Sequence, residues 1–76
     1  MPPRLPADIP TARVRRALLR LGFVLSREGG SHTVFAHPDH PREQFVLPRH
    51  RTASRLMIVS TLARFGFGEQ RFLDVY

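Results

Sequence analysis

Apolar positions recur at helical spacing early in the chain: Val14, Ala17, Leu18 and Leu21 share one face at about 100° per residue, while Arg13, Arg16 and Arg20 form a stripe on another. This predicts a helix from Ala12 to Leu21, with Thr11 as N-cap and Gly22 at its C-terminal stop. Leu19 falls outside the apolar face and is expected to be partly exposed. The pattern then changes. Phe23 to Arg27 reads as a strand, Glu28-Gly29-Gly30 as a turn, and Ser31 to Ala36 as a second strand. His37-Pro38-Asp39-His40-Pro41 breaks regular structure and predicts a loop. Glu43 to Leu47 follows as a third short strand, stopped by Pro48. A second helix is expected from Ser54 to Phe65, where Ile58, Val59, Leu62, Ala63 and Phe65 give a wide buried arc. Ser60, Thr61 and Arg64 mark its wet side, and Gly66 ends it. Glu69 to Tyr76 can form a short last helix with Phe72 and Tyr76 on one side, although Asp74 opposes the helix dipole near its end.

Short connections favour an antiparallel meander. The expected fold class is therefore α+β: a three-stranded antiparallel sheet with two helices packed on one face, in the order α-β-β-β-α, and a possible short C-terminal helix. Residues 1–8 read as a flexible leader and 9–76 as a single domain. At 76 residues there is no room for separate catalytic and binding domains. A chain this short buries only about 60% of its unfolded surface, so its core is thin. Phe23, Phe35, Phe45 and Phe65 suit that core better than a base-stacking platform. Phe67, Phe72 and Tyr76 either finish it or form a partner surface.

Charge narrows the function classes. All twelve basic side chains are arginine, against six carboxylates, for a net charge of +6. Guanidinium forks suit phosphate oxygens, and this excess on a small domain favours nucleic acid or an acidic protein partner. There is no cysteine, which excludes disulfides and thiolate metal sites. The N-terminus lacks the apolar run of a signal peptide. Leu56-Met57-Ile58-Val59 is the longest aliphatic stretch, far short of a membrane span. A cytoplasmic protein without a membrane partner is the expectation.

His32 is the sharpest candidate for chemistry. It follows a glycine turn at the start of a strand, and an imidazole exchanges protons near neutral pH. As a plain strand residue it would serve only turn geometry or a hydrogen bond. Arg27, ending the preceding strand, can clamp a phosphate. Arg49, Arg51 and Arg55 cluster before the second helix, whose N-terminus would add backbone donors. Arg13, Arg16 and Arg20 can follow a phosphate backbone or simply face solvent. Glu28, His37 and His50 are candidates for a second proton-transfer group. His37, Asp39 and His40 have metal-ligating side chains, but a proline-broken loop with no fourth ligand reads as surface, so no metal and no cofactor is expected.

Taken together, Gly22-Phe23, Arg27, Gly30-Ser31-His32, Phe35, His37-Pro38, and Val46-Leu47-Pro48 with His50 resemble the HicA family of bacterial toxin–antitoxin systems. The resemblance covers about Ile9 to Phe67. It implies a double-stranded-RNA-binding-domain-like fold, mRNA interferase activity, a functional histidine at His32, and a HicB antitoxin that covers the active site. The departure lies after the third strand. Family members often start the second helix with Gly-Thr-Leu after a basic loop, whereas here Arg51-Thr52-Ala53-Ser54-Arg55 leads into Leu56. The implied reading is a metal-independent endoribonuclease with His32 catalytic. Arg27, Ser31, Arg49, Arg51, Arg55, Arg13, Arg16 and Arg20 are the residues expected to meet RNA. The alternatives are a non-catalytic RNA-binding module on the same fold, and a protein-interaction domain whose arginines meet an acidic partner.

Overall fold

The computed structural model describes residues 4–76. Its elements run β1 (Asp8–Pro10), α1 (Thr11–Arg20), β2 (Val24–Gly29), β3 (His32–Ala36), β4 (Phe45–Pro48), β5 (Thr52–Ser54), α2 (Arg55–Arg64) and α3 (Glu69–Leu73). The expected α-β-β-β-α order is present, with β2-β3-β4 as an antiparallel sheet. Two short strands are additional. β1 pairs antiparallel with β5, aligning Ile9 with Ala53.

This ribbon fixes where both helices begin. α1 starts immediately after β1, and the Thr11 amide donates to the Arg51 carbonyl at 2.9 Å. α2 starts immediately after β5, and the Arg55 amide donates to the Ala7 carbonyl at 2.9 Å. Thr11 is thus the first helical residue rather than the N-cap. Pro10 occupies the cap, and the Thr11 hydroxyl donates away from the helix to the His50 carbonyl at 2.6 Å. Ser54 caps α2 by accepting the Met57 amide at 3.2 Å, a bond of the usual N-cap kind.

Of the expected leader, residues 1–3 lie outside the described range and residues 4–8 are described. Leu5 is buried in the core. Its amide donates to Glu69 Oε2 at 3.0 Å, and its carbonyl accepts from Arg55 Nη1 at 3.0 Å. Residues near the start of the chain therefore join the two C-terminal helices.

One apolar layer lies between the helices and one face of the sheet. Val14, Ala17, Leu18 and Leu21 of the first helix are buried as the periodicity predicts, and Leu19 is exposed. Phe23, Phe35, Phe45 and Phe65 are all buried. Phe23 is the hub, its ring edge-on to Phe65 at 4.9 Å and to Phe45 at 5.9 Å between centroids. Phe72 completes the layer from α3, with Tyr76 stacked 5.9 Å from it beyond the helix end. α3 stops at Leu73, shorter than the pattern suggested. α2 is wetter than its apolar arc implied: Ile58 and Leu62 are buried, but Ala63 is exposed and Leu56 is 80% exposed.

Candidate functional site

The turn between β2 and β3 consists of Gly30 and Ser31, with Gly29 and His32 paired on either side of it. Gly30 sits at φ +59°, a conformation that the first position of such a hairpin requires and that only glycine adopts without strain. His32 is the first residue of β3, the middle strand. Its two cross-strand neighbours are Gly29 and Pro48. A glycine has no side chain and a proline ring is short, so neither covers the imidazole, which is exposed. The Ser31 hydroxyl lies 2.9 Å from His32 Nδ1. That bond engages Nδ1 and leaves Nε2 with no protein partner among the described residues, as donor or acceptor according to where the ring proton sits.

A β-bulge brings Arg27 to the same face. Leu25 pairs with Phe35, but Arg27 then pairs with Val34, so the register slips by one residue around Ser26. Because strand side chains alternate, a one-residue slip exchanges the faces of everything beyond it. Arg27 therefore shares the face of Val34 and His32. Glu28 is turned toward α1, where Arg15 Nη1 meets its Oε1 at 2.6 Å. The Arg15 guanidinium holds the Glu28 carboxyl below its ordinary range, first by that hydrogen bond and then by its charge. Glu28 is an anion on the helix side of the sheet, opposite His32.

Of the other proton-transfer candidates, His37 is buried and fully engaged. Its Nδ1 accepts the Asp39 amide at 3.2 Å, and its Nε2 donates to the Leu21 carbonyl at 3.0 Å. Its ring edge also meets Phe23 at 4.9 Å. Both nitrogens being used, His37 neither joins His40 in a ligand set nor reaches His32. No group of three metal-ligating side chains assembles among the described residues. His50 is exposed. It lines a cleft of about 170 Å³ with Thr11, Arg15, Thr33 and Arg49, and Thr33 alternates to the face opposite His32.

The structure disperses the α1 arginine stripe and the arginine cluster before α2. Arg49 is next to the turn, its amide donating to the Ser31 carbonyl at 2.9 Å and its Nη1 to the Gly30 carbonyl at 3.3 Å. Arg51 is exposed in the following loop. Arg55 points elsewhere, bound to Leu5 and lining a separate cleft of about 360 Å³ with Leu56, Val59 and Glu69. On α1, Arg13 Nη2 donates to the Tyr76 carbonyl at 2.7 Å, and its guanidinium lies 3.8 Å from the centre of the Tyr76 ring. Arg20 Nη1 donates to the Val75 carbonyl at 3.0 Å. Only Arg16 of that stripe is exposed without a side-chain partner among the described residues. Neither the bulge nor these C-terminal partners leave a signature in the pattern of residues.

No helix among the described residues is long and apolar enough to cross a membrane. No curated protein and no solved structure matches the chain. A family model described as HicA toxin of bacterial toxin-antitoxin does match, over residues 11–67. That span runs from the first residue of α1 past the end of α2 and includes the His32 turn, the bulge and the core phenylalanines: the chain belongs to the HicA toxin family.

Proposed function

We propose that this chain is the toxin of a HicA/HicB-type pair and acts as a metal-independent endoribonuclease on mRNA, with His32 as a proton-transfer group. The observation that carries the reading is the uncovered His32 imidazole, its Nδ1 held by Ser31 at 2.9 Å at the head of the middle strand. RNA supplies its own nucleophile, the 2′-hydroxyl. Its attack on the adjacent phosphorus forms a cyclic 2′,3′-phosphate and expels the 5′-oxygen of the next nucleotide. The 2′-hydroxyl proton must be taken up and the departing oxygen protonated, steps in which a positioned group contributes about 10²–10⁴-fold. With Nδ1–H donating to the Ser31 oxygen, the neutral ring presents a free lone pair on Nε2 and acts as the base. Protonated on both nitrogens, the ring keeps that bond to Ser31 and gives its Nε2 proton to the departing oxygen as the acid. Arg27, turned to the same face by the bulge, supplies positive charge for the phosphorane oxygens.

An antitoxin of the HicB kind, in this reading, covers the His32 face and competes with RNA. The test is expression of His32→Ala beside the parent, with incubation of both purified proteins with RNA in EDTA. The variant is expected to relieve growth arrest and lose cleavage with its fold intact. Equal arrest and cleavage by the variant would remove His32 from the mechanism. RNA binding without cleavage by the parent would favour a non-catalytic RNA-binding module.

A further inference from the structure

The proposed reaction leaves a basic cleft behind His32 unused. Arg15 enters it from α1, Arg49 from the loop after β4, and His50 from the same loop; Leu47 and Pro48 form an apolar wall and Thr33 lies at its base. It holds about 170 Å³, enough for a phosphodiester group with water around it. Neither guanidinium is spent. Arg15 uses Nη1 for Glu28 Oε1 at 2.6 Å and Thr33 Oγ1 at 3.4 Å. Arg49 uses Nη1 for the Gly30 carbonyl at 3.3 Å. Each fork carries five donors, so Nη2 and Nε of both remain for a ligand. Glu28 offsets one of the two charges, and its carboxyl feels both arginines: Arg15 most, Arg49 less.

The cleft is also tied to His32 through the backbone. Thr33 follows His32 directly, Pro48 is its cross-strand partner, and the Arg49 amide binds the Ser31 carbonyl. His32 and the cleft lie on opposite sides of the same end of the sheet. Thr11 closes the arrangement, its hydroxyl donating to the His50 carbonyl at 2.6 Å and pinning the loop against α1.

We infer that this cleft is a second phosphate subsite, which takes a backbone phosphodiester of an RNA strand passing over the end of the sheet from the His32 face. The inference rests on the proposed ribonuclease reading for its substrate, but binding here needs no cleavage. It gives Arg15, Arg49 and His50 a common role in holding the strand in register, while Arg27 serves the reacting phosphate. A forked guanidinium pair is suited to this because it binds phosphate oxygens in a fixed geometry.

The experiment is an NMR titration of the whole protein with inorganic phosphate, then with a 2′-O-methyl oligoribonucleotide, which binds but lacks the free nucleophile. Saturable shifts are expected at the Thr11 and Thr33 amides and the His50 ring with phosphate, and at the same signals plus His32 with the oligonucleotide. Arg49→Gln with His50→Gln should weaken both, with amide dispersion reporting that the fold persists. Arg49→Gln alone should lower the slope of log affinity against log salt by about 0.7, the loss of one single-strand phosphate contact. Cleft signals that respond to chloride as they do to phosphate, or that stay still while the oligonucleotide moves His32, would overturn the subsite and leave the nuclease reading standing. Saturable cleft binding in a protein that leaves unmodified RNA uncut would support the subsite and sink the nuclease reading.

Discussion

His32 and His37 are five positions apart, and their neighbours give them opposite fates. His32 follows a glycine turn and pairs with Gly29 and Pro48, so nothing covers it. His37 ends beneath Phe23, its two nitrogens bound to Leu21 and Asp39. His37→Leu keeps an apolar bulk but leaves the Leu21 carbonyl without its donor, which costs about 1–3 kcal/mol for a buried group. Urea unfolding should show that loss; an unchanged midpoint would mean that water replaces the imidazole. Gly22 belongs to the same unit. Its φ is +95°, and a Cβ there would stand 3.1 Å from His37 Nε2. Gly22→Ala is therefore expected to destabilise by more than about 1 kcal/mol, since neither the backbone nor the ring yields freely. Glu28 gives a pH signature. Its pKa is lowered in the fold, so the Arg15 pair contributes fully above the ordinary carboxyl value of 4.5 and loses its contribution as pH falls through the lowered one. The difference in Tm between the parent and Glu28→Gln should thus shrink below pH 4.5. A difference that persists in strong acid would assign it to packing instead.

At the scale of elements, the β1–β5 ribbon and the Leu5 anchor are what make the two helices start where they do. Leu5 is 1% exposed, whereas Leu19 is 54% exposed. Leu5→Ala should accordingly cost about 2–5 kcal/mol, and Leu19→Ala within about 0.5 kcal/mol of nothing. Equal unfolding midpoints for the two would show that the leader adds no stability. Helix α1, the three-stranded meander and the four core phenylalanines were legible because each displays its period over several residues. The ribbon was not, since three residues ending in a proline cannot show alternation, and Ser54, the end of the partner strand, reads as the start of the second helix. Register was equally hidden. The slip at Ser26 depends on which β3 residue each β2 residue meets, and it alone decides that Arg27 joins His32 while Glu28 faces Arg15. His32 could be placed from the glycines before it, but its surroundings could not.

For the whole molecule, a charge of +6 says that polyanions are attracted but not where they land. The fold divides the arginines into tied and free. Arg13 and Arg20 hold the C-terminal carbonyls of Tyr76 and Val75, and Arg64 meets Glu43 Oε2 at 2.6 Å. Arg16, Arg27 and Arg51 are exposed and have no side-chain partner among the described residues. Removing a tied arginine frees a structural partner; removing a free one subtracts only charge available to phosphate. Arg13→Gln with Arg20→Gln should therefore lower Tm, since it releases the C-terminal segment from α1 and deletes the contact with the Tyr76 ring, a cation–π pair worth about 0.5–1 kcal/mol when exposed. The same pair should leave the salt dependence of RNA binding nearly unchanged. Arg27→Gln with Arg51→Gln should do the reverse, holding Tm and lowering the log–log salt slope by about 0.7 for each arginine that meets a phosphate of single-stranded RNA. Measuring both properties for both pairs separates the roles. A larger fall in slope for the α1 pair would mean that RNA displaces the C-terminal segment and takes those two arginines for itself.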